Sequence, residues 1–171
     1  MIEAVTALAK LQAISSAFNE WLGIEVTAAS EGSAELQLAW RSEFGQYSGF
    51  LHAGLVGALI DTACGFAAAT ITAEVLASRY SVNFFRLAVA ARFIARGKVL
   101  KLGKRQIFCR TEVYGDGVTD KRLLASGGND SDGGVVSLRG PVERQLFQPA
   151  ASADGGATGE AVKRFRPRNL L

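Results

Sequence analysis

The chain has 171 residues, enough for one domain or for one domain with an appendage. At 49% hydrophobic and 20% charged it is not disordered overall, and a single His excludes a His-built metal site. The net charge of +3 is misleading: Lys163, Arg164, Arg166 and Arg168 sit in residues 161–171 without an acid, and taking those four charges from +3 leaves −1 for the rest. A basic groove for nucleic acid is therefore not indicated. Cys64 and Cys109 have neither CxxC spacing nor the pattern of a disulfide framework, which fits a reduced, cytoplasmic chain. Glu3 and Lys10 interrupt the first apolar stretch, so it does not read as a signal peptide.

Residues 3–21 predict one amphipathic helix, with Ala4, Leu8, Leu11, Ile14 and Phe18 recurring at steps of three and four, and Gly23 as its stop. Residues 24–29 and 33–40 predict two strands around Glu31-Gly32; Leu36, Leu38 and Trp40 share one face of the second. A loop over 41–51 leads into residues 53–73, whose one charge is Asp61. A central Asp would cost about 2.5–3.5 kcal/mol in a bilayer, so this run predicts a central helix wrapped by other structure, with no membrane role. Strands are expected at 80–87, 91–102, 105–115 and 121–126, the middle pair joined at Gly103-Lys104 as a long hairpin. The fold class is α+β, an antiparallel sheet wrapped around one apolar helix. Periodicity fades at Gly127, and residues 127–160 hold eight glycines. Residues 1–130 are thus expected to form the domain, and 131–171 an irregular, disordered, Gly-rich and basic tail.

Chemistry points to the loop and the helix start, Gln46 to Gly54, and to Asp61. A helix starting near His52 aims unpaired N–H groups and the positive end of its dipole outward, where they can hold a developing oxyanion. Small residues at Ala53 and Gly54 let a substrate carbonyl approach that backbone. Asp61 follows His52 by nine residues, which puts the two on roughly opposite helix faces. They form no dyad within one helix: one is structural, or a second copy of the chain completes the site. His52 reads equally as a cap that orients its loop or as a direct catalytic group. Ser48-Gly49 lacks the GxSxG elbow, the later glycines lack GxxxxGK[ST], and Cys64 reads as packing. Arg96, Lys98, Lys101, Lys104 and Arg105 read as a solvated strand face, or as bases that meet the phosphates of a nucleotide-bearing ligand.

Residues 46–61, QYSGFLHAGLVGALID, resemble the signature of hotdog-fold acyl-CoA thioesterases of the phenylacetate-pathway (PaaI-like) type. SVNFFRLA at 81–88, ARGKVLKLGKR at 95–105 and LLASG at 123–127 follow that family's strands in order, so the resemblance spans about 20–127. It implies Asp61 as the catalytic carboxylate, nucleophile or general base, with Gln46 orienting water or thioester and His52 shaping the loop. It also implies the N–H of Ala53, backed by Gly54, as oxyanion donor. Substrate contacts are expected from Asn83, Arg86, Lys101, Lys104 and Arg105. The implied activity is hydrolysis of a small to medium acyl- or aryl-acyl-CoA, at a site shared across a dimer or a dimer of dimers. No metal and no cofactor are expected, CoA being part of the substrate. A hotdog hydratase or dehydratase and a non-catalytic acyl-CoA-binding module remain the alternatives. Two departures stand out: Ala53 replaces a commoner Gly, and the residues from Gly127 do not alternate as a last strand would.

Overall fold

The computed structural model describes residues 2–14, 16–72, 75–103, 106–116, 121–128 and 135–137. Two helices, α1 (Ile2–Ala13) and α2 (Ala17–Leu22), stand where one was expected. The break has a local cause: Ser16 adopts an extended conformation, and its side chain accepts the Asn19 N–H at 3.3 Å, so it caps a new helix. The predicted stripe splits with it. Leu11 is fully buried, while Ile14 and Phe18 are exposed. Gly23 ends α2 at φ 74°, as its position foretold.

Strands β1 (Ile24–Ser30) and β2 (Ser33–Ala39) form the first hairpin. A 3₁₀ turn at Ser42–Phe44 and an ordered loop lead to α3 (Ala53–Ala69). Then follow β3 (Val75–Ala77), β4 (Ser81–Phe84), β5 (Arg92–Leu102), β6 (Gln106–Asp116), β7 (Lys121–Gly128) and β8 (Val135–Ser137). The main sheet runs β1-β2-β5-β6-β7-β4, every pair antiparallel. It curls around α3, which is the hotdog arrangement the resemblance implied.

Helix α3 is apolar nearly all round because the sheet covers most of it. Val56, Leu59, Ile60 and Ala63 pack against Leu36, Leu38, Phe93, Ala95, Val113 and Ala125 on the inner sheet face. Burial of each large side chain contributes about 1.5–3 kcal/mol. Leu11 of α1 closes a second cluster with Ala29, Ala34, Ala67 and Ala69. Helix α3 stops at Ala69, earlier than its apolar run predicts. Lys10 Nζ donates to the carbonyls of Ala69 at 2.6 Å and Thr72 at 3.0 Å, and Thr70 and Thr72 hydroxyls bond back to Ala67 and Ala68. A cation on the last carbonyls suits the negative end of the helix dipole.

Three differences from the sequence reading concern the later strands. Strand β4 is shorter than 80–87, because the N–H groups of Phe85 and Arg86 both turn to the Leu124 carbonyl. Strand β3 is additional. Two stretches of the segment read as irregular are strand: β7 runs on to Gly128, and β8 pairs with β3 and with Gln106 and Ile107 of β6. Strand β7 pairs only Arg110–Asp116 of β6, so the start of β6 is open to β8. The rest of 131–171 lies outside the described residues. Among those, no helix is long and apolar enough to cross a membrane.

Candidate active site

The loop before α3 is built by its own backbone. Phe44 and Leu51 are buried and anchor its stem, and Gly45 and Leu51 form an antiparallel bridge. The Gln46 N–H donates to Phe50 O and the Gly49 N–H to Gln46 O, both at 2.9 Å. Gly49 has φ 73°, which a larger side chain rarely adopts. The stem is tied to the segment after β4 by Leu51 N–H on Ala88 O at 3.0 Å, and to its own start by His52 N–H on Phe44 O at 2.9 Å. Gln46 is half-buried, and Tyr47 is fully exposed at the tip.

His52 is the N-cap of α3. Its Nδ1 accepts the Gly54 N–H at 3.0 Å, and its carbonyl accepts from Leu55 at 2.9 Å and Val56 at 3.2 Å. Nδ1 is thus occupied as an acceptor of the helix backbone. Three of the first four helix N–H groups are thus occupied. Among the described residues the N–H of Ala53 has no acceptor, while that of Gly54 is taken up by His52. Of the two expected oxyanion donors, only Ala53 is open here.

Asp61 lies in the middle of α3 on its less covered side. Gly54, Ala58, Asp61, Thr62 and Gly65 recur at helical spacing and are exposed or half-buried, whereas Ile60, Ala63 and Cys64 face the sheet. No described residue is within hydrogen-bond or ion-pair distance of the Asp61 carboxyl. Burial, unopposed by any cation, holds that carboxyl above its ordinary value.

Two contacts that sequence reasoning missed set the rotation of α3. Thr111, fully buried on β6, donates to the Ile60 carbonyl at 3.2 Å, and its oxygen is 3.2 Å from Cys64 Sγ. Gly97 on β5 touches the Ala63 backbone. A Gly inside a strand pattern is itself a sign of close backbone approach. Cys64 and Cys109 are buried thiols; the hydrogen bond to Cys64, together with burial, pushes the Cys109 thiol up. Neither is a poised nucleophile.

His52 and Asp61 remain apart, separated by about 13 Å of helix rise at 1.5 Å per residue. Asn83 is exposed on edge strand β4, opposite Ser126, and Arg86 is exposed where the chain leaves that strand. Lys101 is exposed beyond a register shift in β5. Lys104 and Arg105 lie outside the described residues. Arg96 is drawn out of the set of free bases: its Nε is 2.7 Å from Glu35 and its guanidinium lies over the Tyr114 ring. Since Gly97 faces α3, Arg96 and Lys98 point to the opposite face of the sheet. Among the described residues, no group of three or more His, Cys, Asp or Glu is placed to hold a metal ion.

The Thioesterase superfamily profile matches residues 48–120. A thioesterase family protein of Silicibacter pomeroyi superposes with a TM-score of 0.71 at 27% identity, covering 80% of this chain and 98% of that one. A variant of the phenylacetic acid degradation protein PaaI of Thermus thermophilus is 28% identical, with a TM-score of 0.62 over 72% of this chain and all of that one (100%). The PaaI protein of the E. coli phenylacetic acid degradation operon shares the fold, with a TM-score of 0.68 at 21% identity over 78% of this chain and 92% of its own. Residues 48–120 thus match the Thioesterase superfamily, in agreement with the resemblance carried by residues 46–61.

Proposed function

We infer that the chain is an acyl-CoA thioesterase, acting on a small to medium acyl- or aryl-acyl-CoA, with Asp61 as general base. One observation carries this reading: Asp61 is a half-buried carboxyl without a partner among the described residues, on the less covered stripe of the central helix. Leaving a carboxylate so is unfavourable for folding, so a use in chemistry accounts for it. The matched family is thioesterase, and hydrolysis needs a base there. Asp61 takes a proton from water while the water oxygen bonds to the acyl carbon. The Ala53 N–H and the α3 dipole steady the carbonyl oxygen as charge develops on it. The C–S bond then breaks, and the departing CoA thiolate takes the proton that Asp61 holds, which restores the carboxylate.

The separation of His52 from Asp61 favours a site completed by a second copy, with the Gln46–Ala53 loop of one subunit facing Asp61 of the other. The edge strand β4 and the chain after it expose Phe84, Phe85, Leu87 and Val89, an apolar border suited to pairing with its copy. Thiol release from a panel of acyl- and aryl-acyl-CoA esters tests the activity; absence of turnover across the panel sinks it. Mixing Gln46→Ala with Asp61→Asn chains tests the shared site. Subunit exchange is expected to restore activity, and demonstrated heterodimers without activity refute sharing.

A further inference from the structure

Tyr80, in the loop between β3 and β4, is set against α3. A Cβ built at Gly57 would lie 3.3 Å from the Tyr80 hydroxyl oxygen and 3.6 Å from a ring carbon. The phenol therefore fills the space a side chain at 57 would take. Gly57 is buried, while Tyr80 keeps 46% of its surface exposed, so one edge of the ring covers the helix and the other is open. Gly57 precedes Asp61 by one turn and is only about 40° away around the helix. Helical side chains lean toward the N-terminus, which carries the Asp61 carboxylate over the same turn. Hydroxyl and carboxylate thus border one stretch of helix surface, yet no hydrogen bond joins them. Neither has a hydrogen-bond partner among the described residues. Two unpartnered polar groups beside one gap suit a bridging water.

We propose that the Tyr80 hydroxyl is a further catalytic group: with Asp61 it holds the water that attacks the thioester. This rests on the thioesterase reading above. The water gives one hydrogen to the carboxylate and the other to the Tyr80 oxygen, which aims a lone pair at the acyl carbon. The first proton moves to Asp61 as the new C–O bond forms; Tyr80 orients and exchanges no proton. A Cβ at Gly57 would press on the hydroxyl and push it aside by a few tenths of an ångström.

Tyr80→Phe keeps the ring and removes only the oxygen. The expected result is a kcat lowered about 10–100-fold, with KM within about threefold and an unchanged melt, as for a group that acts in the transition state. Gly57→Ala should lower kcat in the wild type but add nothing to Tyr80→Phe, because its effect runs through the hydroxyl. A Tyr80→Phe kcat within about twofold of wild type, while Asp61→Asn is inactive, overturns the proposal and leaves the thioesterase reading standing. Equal losses from Gly57→Ala in both backgrounds also overturn it. If Tyr80→Phe fails to fold, Gly57→Ala decides alone, and an unchanged kcat refutes the role. No turnover by the wild type removes reading and proposal together.

Discussion

Gly97 and Ala63 meet backbone to backbone: a Cβ at 97 would fall 2.2 Å from the Ala63 carbonyl oxygen. That contact, with the Thr111 hydroxyl on Ile60 O, seats α3 on β5 and β6 on both sides of Asp61 in sequence. Backbone atoms do not yield as a flexible side chain does. Gly97→Ala is therefore expected to destabilise the fold by at least the 1–3 kcal/mol typical of overpacking. Thermal melting checks this; a melting temperature equal to wild type would show that α3 shifts freely.

Asp61→Asn should separate function from stability. Loss of a general base is expected to lower kcat by about 10²–10⁴. Stability should move the other way. The folded-state pKa is raised by burial, so the folded chain holds the proton more tightly than the unfolded one. Ionisation therefore costs stability as pH rises from the unfolded value through the folded one. The always-neutral Asn escapes that cost. Its melting temperature should exceed wild type at pH 7, and the gap should close below about pH 4. Melts at both pH values, with kcat, check the pair of expectations.

His52 offers a test of capping against proton transfer. His52→Ala leaves the Gly54 N–H without its acceptor and is expected to cost about 0.5–2 kcal/mol. Asn is a strong N-cap without an imidazole. His52→Asn should regain most of the melting temperature and most of the kcat lost by the Ala variant. Recovery of the melt without recovery of kcat would give the ring a chemical role.

A chain ending at Asp130 removes β8 and its pairing with β3 and β6. The start of β6 and strand β3 would then lack that pairing. A fall in melting temperature of more than about 5 °C is expected, on the order of 1 kcal/mol for a domain of this size. An unchanged melt would show that β8 adds nothing to stability.

Local pattern was enough to read much of this protein. The alternation of Leu36, Leu38 and Trp40, the unbroken apolar run around Asp61, and turns at Gly23 and Gly103 depend on neighbours in sequence, and they led to a sheet wrapped around a helix. The segment from Gln46 to Asp61 carried the family resemblance because loop, helix start and carboxyl lie within one short stretch. Other features depended on a competing local bond or on partners distant in the chain. Ile14 and Phe18 continue the α1 stripe in sequence, yet the Ser16 cap turns them out to solvent. Helix α3 ends at Ala69 because Lys10 reaches its last carbonyls from α1. Strand β8 has too few residues to show a period and exists by pairing with β3 and β6. Tyr80 reads as one more aromatic of a strand, and only the close approach to Gly57 sets its hydroxyl beside the Asp61 turn. Periodicity records which side of an element is covered, whereas the tertiary structure decides which residue covers it and how near two backbones come.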